Sequence, residues 1–209
     1  MTEKMIALIG DVIGSRKIKT RPDFDRRLAN TLQALNAHSP HLLSPYTLTI
    51  GDEIQALFDS AGSLFHDALL ILAAIHPQRM RFSFGLGGLV TPINPSQAIG
   101  MDGPAFHLAR DGIQELKKRR GLFTLRGQIQ DQTLLNTALA LVSHNLLKWN
   151  LTRLQVLVDL MEAKTVKQIA ESLAISEQAI YKNINAGALE QVAALFQQVE
   201  AALNVSLTE

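Results

Sequence analysis

The feature that most constrains the fold is a change of periodicity near residue 126. Before it, short apolar runs alternate with helical stripes; after it, every apolar stripe repeats at three or four residues. Met5–Ile9 reads as a buried strand that ends at Asp11 and leads into the Gly-containing loop Val12–Lys19. Pro22 opens a helical pattern carried by Phe24, Leu28, Leu32 and Leu35. Leu48 and Ile50, then Ile54, Ala56 and Phe58, alternate on either side of Gly51-Asp52, which predicts two strands joined in a tight hairpin with an acidic tip. A helix over Ala61–Ile75, a strand over Met80–Val90, a helix from Gly103-Pro104 through Lys118 and a last strand at Leu122–Leu125 complete the region. The order β-α-β-β-α-β with an appended helix and strand predicts an α/β (α+β), ferredoxin-like layered domain over residues 1–126. A Rossmann domain fits less well, because Gly10-Asp11-Val12-Ile13-Gly14 puts a carboxylate where a pyrophosphate would approach and no GxGxxG follows.

Residues 127–209 predict an all-helical second domain. Leu134, Leu135, Ala138, Leu139, Val142 and Leu146 form one stripe, and a second helix follows Trp149-Asn150. Thr165-Val166-Lys167-Gln168 is a capping box, and Ser176 can cap the next helix through about Asn185. Small Ala170 and Ala174 with apolar Ile175 and Ile180 give residues 165–185 the spacing of a helix-turn-helix. The final stripe, Leu189 to Leu203, suits either a cover for that motif or a second subunit, so a homodimer is one expectation.

Composition narrows the chemistry. The 209 residues include no cysteine, which excludes disulfides, thiolate zinc and a cysteine nucleophile. No stretch reaches eighteen apolar residues and the N-terminus lacks a signal h-region, so a cytoplasmic protein without a membrane partner is expected. The formal charge of +1 conceals an asymmetry: residues 1–126 hold fifteen Lys/Arg against eleven Asp/Glu, and residues 127–209 hold five against eight.

Asp11 and Asp52 each stand beside glycine at the end of an apolar strand segment. If the sheet brings them together, their repulsion calls for a proton or a cation, and Mg²⁺ suits two carboxylates plus phosphate oxygens. The loop Val12, Ile13, Gly14, Ser15, Arg16 and Lys17 adds backbone N–H groups, a hydroxyl and two cations for a phosphate ligand. The same spacing also fits two turn-capping aspartates beside a solvated basic rim. Lys117-Lys118-Arg119-Arg120 likewise fits either a cation-rich helix end or a nucleotide or nucleic-acid contact.

Asp11-Val12-Ile13-Gly14, Ile50-Gly51-Asp52-Glu53-Ile54, Phe84-Gly85-Leu86-Gly87-Gly88 and the segment from Ile99-Gly100 through Arg110 resemble the class III nucleotidyl cyclase domain. The whole chain more closely resembles the SatD family, in which such a domain precedes a helix-turn-helix. The resemblance implies a cyclase-like sandwich, metal roles for Asp11 and Asp52, and the Val12–Ser15 loop beneath the phosphates. It places Leu48 where cyclases have a base-reading lysine, and His107 and Asp111 where they have a catalytic asparagine and a transition-state arginine. Arg110 is about 100° away from Asp111 around the helix, and an aspartate repels the phosphoryl group that an arginine would stabilise. His107 fits a base or phosphate contact and equally a partly buried histidine satisfied within its own helix. His107 and Arg110 are read as ligand contacts and no catalytic residue is assigned.

On a DNA-binding helix-turn-helix, Glu177, Gln178, Tyr181, Lys182 and Asn185 would face base edges or phosphates. One lysine on that helix predicts weak binding per monomer. The expected function is a cytoplasmic DNA-binding regulator with a nucleotide- or phosphate-sensing cyclase-like domain. The alternatives are an Mg²⁺-dependent phosphoryl-transfer or triphosphate-hydrolysing enzyme and a protein-interaction scaffold that uses neither site.

Overall fold

The computed structural model describes residues 3–49 and 52–209. A five-stranded sheet has the order β2-β3-β1-β4-β5, formed by β1 (Met5–Val12), β2 (Leu42–Leu48), β3 (Glu53–Phe58), β4 (Met80–Gly87) and β5 (Phe123–Arg126). All pairings are antiparallel except β4 with β5. All eight residues of β1 are buried, because it lies in the middle of the sheet with both faces covered. Its alternation divides the core: Ile6, Leu8 and Val12 join one buried cluster, and Met5, Ala7 and Ile9 join the other. Pro45, which has no N–H, is accommodated in the edge strand β2, where the register shifts between Ser44 and Thr47. Of the expected hairpin tip Gly51-Asp52, Gly51 lies outside the described residues, as does the flanking Ile50.

One face of the sheet carries α3 (Pro104–Arg119) at very close range. A Cβ on Gly85 would lie 2.1 Å from the Ala105 carbonyl oxygen, and one on Gly112 would lie 2.0 Å from Ser83 Oγ. Small residues on both elements thus let α3 settle almost onto β1 and β4, which brings its polar side chains to the end of β1. Strand β4 stops at Gly87 rather than continuing to Val90. The chain beyond it bonds to the approach to α3 instead of a strand, through Val90 N–H to Asp102 O at 2.9 Å and Ala105 N–H to Gly88 O at 3.2 Å.

The opposite face holds α1 (Arg21–His38) and α2 (Leu64–Ala74), and the helices α4 (Gln132–Leu146), α5 (Leu151–Met161), α6 (Val166–Leu173), α7 (Glu177–Gly187) and α8 (Leu189–Thr208) follow. Helix α2 starts at Leu64, three residues after the expected beginning, since Ala61 to Ser63 form the turn before it. The ring of Phe65 on α2 stacks on Phe196 of α8 with centroids 4.4 Å apart, and packs against Phe84 and Phe123 of the sheet at 5.3 and 5.4 Å. The apolar core is therefore continuous from β1 to α8. The stripe Leu189, Val192, Phe196, Val199 and Leu203 is buried within its own chain, where α8 packs on α2, α5 and α7.

Thr165 and Gln168 form both bonds of the expected capping box at the start of α6. Ala174, at φ 52, turns the chain, and Ser176 accepts the Ala179 N–H at 3.2 Å to start α7. Ile169 and Ile180 are fully buried at this turn. Among the described residues no helix is long and apolar enough to cross a membrane.

Candidate functional site

Strand β1 carries Asp11 on the face that α3 covers. Antiparallel register puts Glu53 of β3 and Arg81 of β4 opposite it, so three charged residues form a row across the sheet. Asp11 Oδ2 accepts from Arg81 Nη1 at 2.8 Å and Oδ1 is 2.8 Å from Lys117 Nζ on α3. Glu53 is held by the Arg110 guanidinium at 3.3 and 3.4 Å. Two carboxylates thus meet three cations at the end of the sheet.

Asp52 comes to the same place: its carbonyl oxygen accepts the Val12 N–H at 3.1 Å, while its side chain is half-buried. The adjacent loop turns at Gly14, whose φ of +68° is the left-handed conformation that glycine tolerates. Ser15–Lys17 form one 3-10 turn closed by Lys17 N–H to Gly14 O at 2.8 Å, with Arg16 and Lys17 exposed. The structure therefore groups Asp11, Glu53, Arg81, Arg110 and Lys117, with residues 12–17 adjoining; Asp52 joins them through its backbone carbonyl. His107 stands apart, exposed, with Nε2 2.6 Å from Asp102 Oδ1. Beside Glu53 and Arg110 a cleft of about 490 Å³ is lined also by Thr49, Gln55, Ile99 and Met101.

Sequence reasoning missed Glu53, Arg81 and Lys117. Glu53 adjoins Asp52, and in an antiparallel ladder that one-residue step changes the face, which no local pattern assigns to either residue. Lys117 is visible in the sequence only as part of a basic run. Its meeting with Asp11, 106 positions earlier in the chain, depends on how deeply α3 settles.

Mg²⁺ is bound through one or two carboxylates together with ligand phosphates. Asp11 is one such carboxylate, and an ion there would take the position of the Lys117 ammonium, the more exposed of its two partners; Asp52 reaches the site through its backbone carbonyl. Among the described residues no group of three or more His, Cys, Asp or Glu is arranged to hold a metal ion. With both Asp11 oxygens paired to Arg81 and Lys117, the described residues do not form a site for an ion held by the protein alone.

The second set of nominated residues is on α7. Glu177, Gln178, Tyr181, Lys182 and Asn185 are all exposed and, at 100° per residue, fall within about 140° of one another around α7, with buried Ile180 and Ile184 on the adjoining side next to Glu177. A chain of contacts joins this helix to the loop. Ile13 N–H donates to Arg79 O at 2.8 Å, Arg79 Nη2 donates to Trp149 O at 2.8 Å, the Arg153 guanidinium lies over the Trp149 ring at 5.9 Å, and Arg153 Nε donates to Asn183 Oδ1 on α7 at 3.4 Å.

Among solved structures, a bacterial light-regulated adenylyl cyclase matches 60% of this chain and 76% of its own at 14% identity, with a TM-score of 0.42. That likeness is weak and says nothing of activity. No curated protein matches. The SatD family model matches residues 5–202, from the first strand to the last helix, and on that match the chain belongs to the SatD family.

Proposed function

We propose that this chain is a cytoplasmic DNA-binding regulator whose sheet domain senses a nucleotide or another phosphate ligand. The observation that carries the reading is the outer stripe of α7. It presents Gln178 and Asn185, whose amides suit adenine edges, beside Lys182 and Tyr181, on a helix fixed behind a tight capped turn. Residues 165–185 act as a helix-turn-helix in this account.

At the sheet end, a phosphate meets Arg16, Lys17 and the backbone of Gly14 to Ser15, since the Val12, Ile13 and Lys17 N–H groups are engaged within the protein. Mg²⁺ brought with the phosphate would be held by Asp11, with Asp52 adjoining, and would supply positive charge to the ligand. Lys117 would then be free to contact the ligand, while Arg81 would keep the Asp11 carboxylate oriented. Because Ile13 is bonded to Arg79 and Arg79 to Trp149, a shift of the loop bears on the start of α5 and through Arg153 on α7. Ligand occupancy and DNA affinity are coupled by this route, and the coupling is reciprocal.

Duplex fragments of the source genome, presented to the full-length protein with and without Mg²⁺ and nucleoside triphosphate, test the reading. Selective binding that weakens in Lys182→Ala is expected. Failure to bind any duplex in either ligand state would remove the DNA half of the proposal. Hydrolysis of labelled triphosphate that disappears in Asp11→Asn would replace sensing with Mg²⁺-dependent phosphoryl transfer, the reading that the Asp11 and Asp52 pair also supports.

A further inference from the structure

The basic run at the end of α3 does more than supply Lys117. Arg119 and Arg120 line a cleft of about 310 Å³ whose opposite wall includes His144 and Leu147 of the α4 end. One turn along, Lys148 Nζ donates to His144 Nε2 at 2.7 Å. Lys148 precedes Trp149, above whose ring Arg153 lies, and Arg153 is bonded to Asn183, the residue after Lys182. Cations thus follow one another from the α3 end, across the α4–α5 corner, to the α5-facing side of α7, about 100° around that helix from Lys182.

Their excess is local. Residues 115–120 and 144–153 hold six Lys/Arg and one acid, Glu115, and the rest of the chain holds fourteen against eighteen. Glu115 is already bound by Arg119 and Arg126. Lys118, Arg120 and Lys148 are exposed, and among the described residues none of them has an ion-pair partner. At the corner Leu146 and Trp149 are buried and Leu147 and Leu151 are only partly exposed, so the strip is dominated by its cations.

We propose that Arg119, Arg120, Lys148 and Arg153 form a platform for the phosphate backbone of duplex DNA, flanking α7. The inference rests on the DNA-binding reading. It supplies the phosphate contacts that α7, with Lys182 offset by Glu177, lacks.

The test is duplex binding by the full-length chain over a series of salt concentrations, for wild type, Lys182→Ala and the double variant Arg120→Gln/Lys148→Gln. Both residues of the double variant are exposed, and an unchanged thermal midpoint confirms that it folds. With two fewer cations on the DNA phosphates, the slope of log affinity against log salt should fall by about 1.8, and affinity near physiological salt by about tenfold or more. A double variant with the wild-type slope, while Lys182→Ala still weakens binding, would overturn the platform and leave the DNA reading intact. Wild-type protein that binds no duplex overturns both. Polyglutamate competing as well as duplex DNA for the wild type, but not for the double variant, overturns the platform in favour of an acidic-protein surface.

Discussion

Asp11 and Glu200 are both carboxylates with less than a tenth of their surface exposed, and their surroundings are opposite. Asp11, at the end of the sheet, lies between Arg81 and Lys117. Glu200, where α8 meets α2, accepts one N–H from Phe65 at 3.0 Å and has the Asp67 carboxylate nearby. Burial pushes Glu200 up to about 7, with the charge of Asp67 adding to it and the Phe65 N–H and His66 opposing it. A paired, rim-facing carboxylate can exchange a cation for a ligand; a buried one among neutral donors adjusts its proton instead. In the proposed function the first arrangement serves binding; the second should make the junction of the helices with the sheet sensitive to pH.

The largest effect expected at the junction comes from its packing. Phe196→Ala removes the ring stacked on Phe65 and should cost about 4 kcal/mol in denaturant unfolding. A loss below about 1 kcal/mol would break the claim that the helices and the sheet share one core. Glu200→Gln comes next. The folded-state value of about 7 is above the unfolded value near 4.5, so the stability it contributes is full below about pH 4.5 and is lost as pH rises through about 7. The Gln variant should therefore gain about 2 kcal/mol over wild type at pH 8 and almost nothing at pH 4. His66, raised chiefly by its bond to Asp67 with Glu162 adding, makes the remaining pH dependence run in the same direction. Equal gains at both pH values would show that Glu200 acts through shape alone.

At the other carboxylate the balance should reverse. Asp11→Asn leaves Arg81 and Lys117 without their anion and should cost about 1.5 kcal/mol of stability. Its main effect should be at least a tenfold loss of Mg²⁺-dependent nucleotide affinity, measured by calorimetry, which Glu200→Gln should not show. The smallest effect belongs to the loop. An added Cβ at Gly14 would meet nothing within 4 Å, so Gly14→Ala should cost only about 1 kcal/mol, from the left-handed backbone. A larger loss would mean that the loop packs more tightly than the structure shows.

Most strands are legible in the sequence because a period of two and bounding glycines mark them, and β1 in particular announces a doubly covered strand by its apolar run Met5–Ile9. Strand β2 is the exception, since it runs over Leu42–Leu48, with Pro45 inside it, and only its end at Leu48 matches the expected strand at Leu48 and Ile50. The capping box at Thr165 and the turn at Ala174 are legible for a similar reason: their bonds join residues three or four apart. The ion pairs that define the site are not. Asp11 with Lys117 and Glu53 with Arg110 depend on the depth and rotation of α3, which Gly85 and Gly112 set through contacts that no local pattern encodes. The same holds for Glu200, whose partner Phe65 is 135 positions away. Helical angle alone separates Arg110 from the direction of Asp111, and it takes the partner Glu53, on a different element, to explain where Arg110 points.

The central claim is that the sheet-end site and the outer stripe of α7 work as one device. It is tested most directly by measuring duplex DNA affinity of the full-length protein with and without saturating Mg²⁺–nucleoside triphosphate. The account predicts a change of about fivefold or more, an equal factor in nucleotide affinity when DNA is added, and loss of both in Asp11→Asn. DNA affinity that is identical with and without the ligand, in a protein shown to bind both, would contradict it.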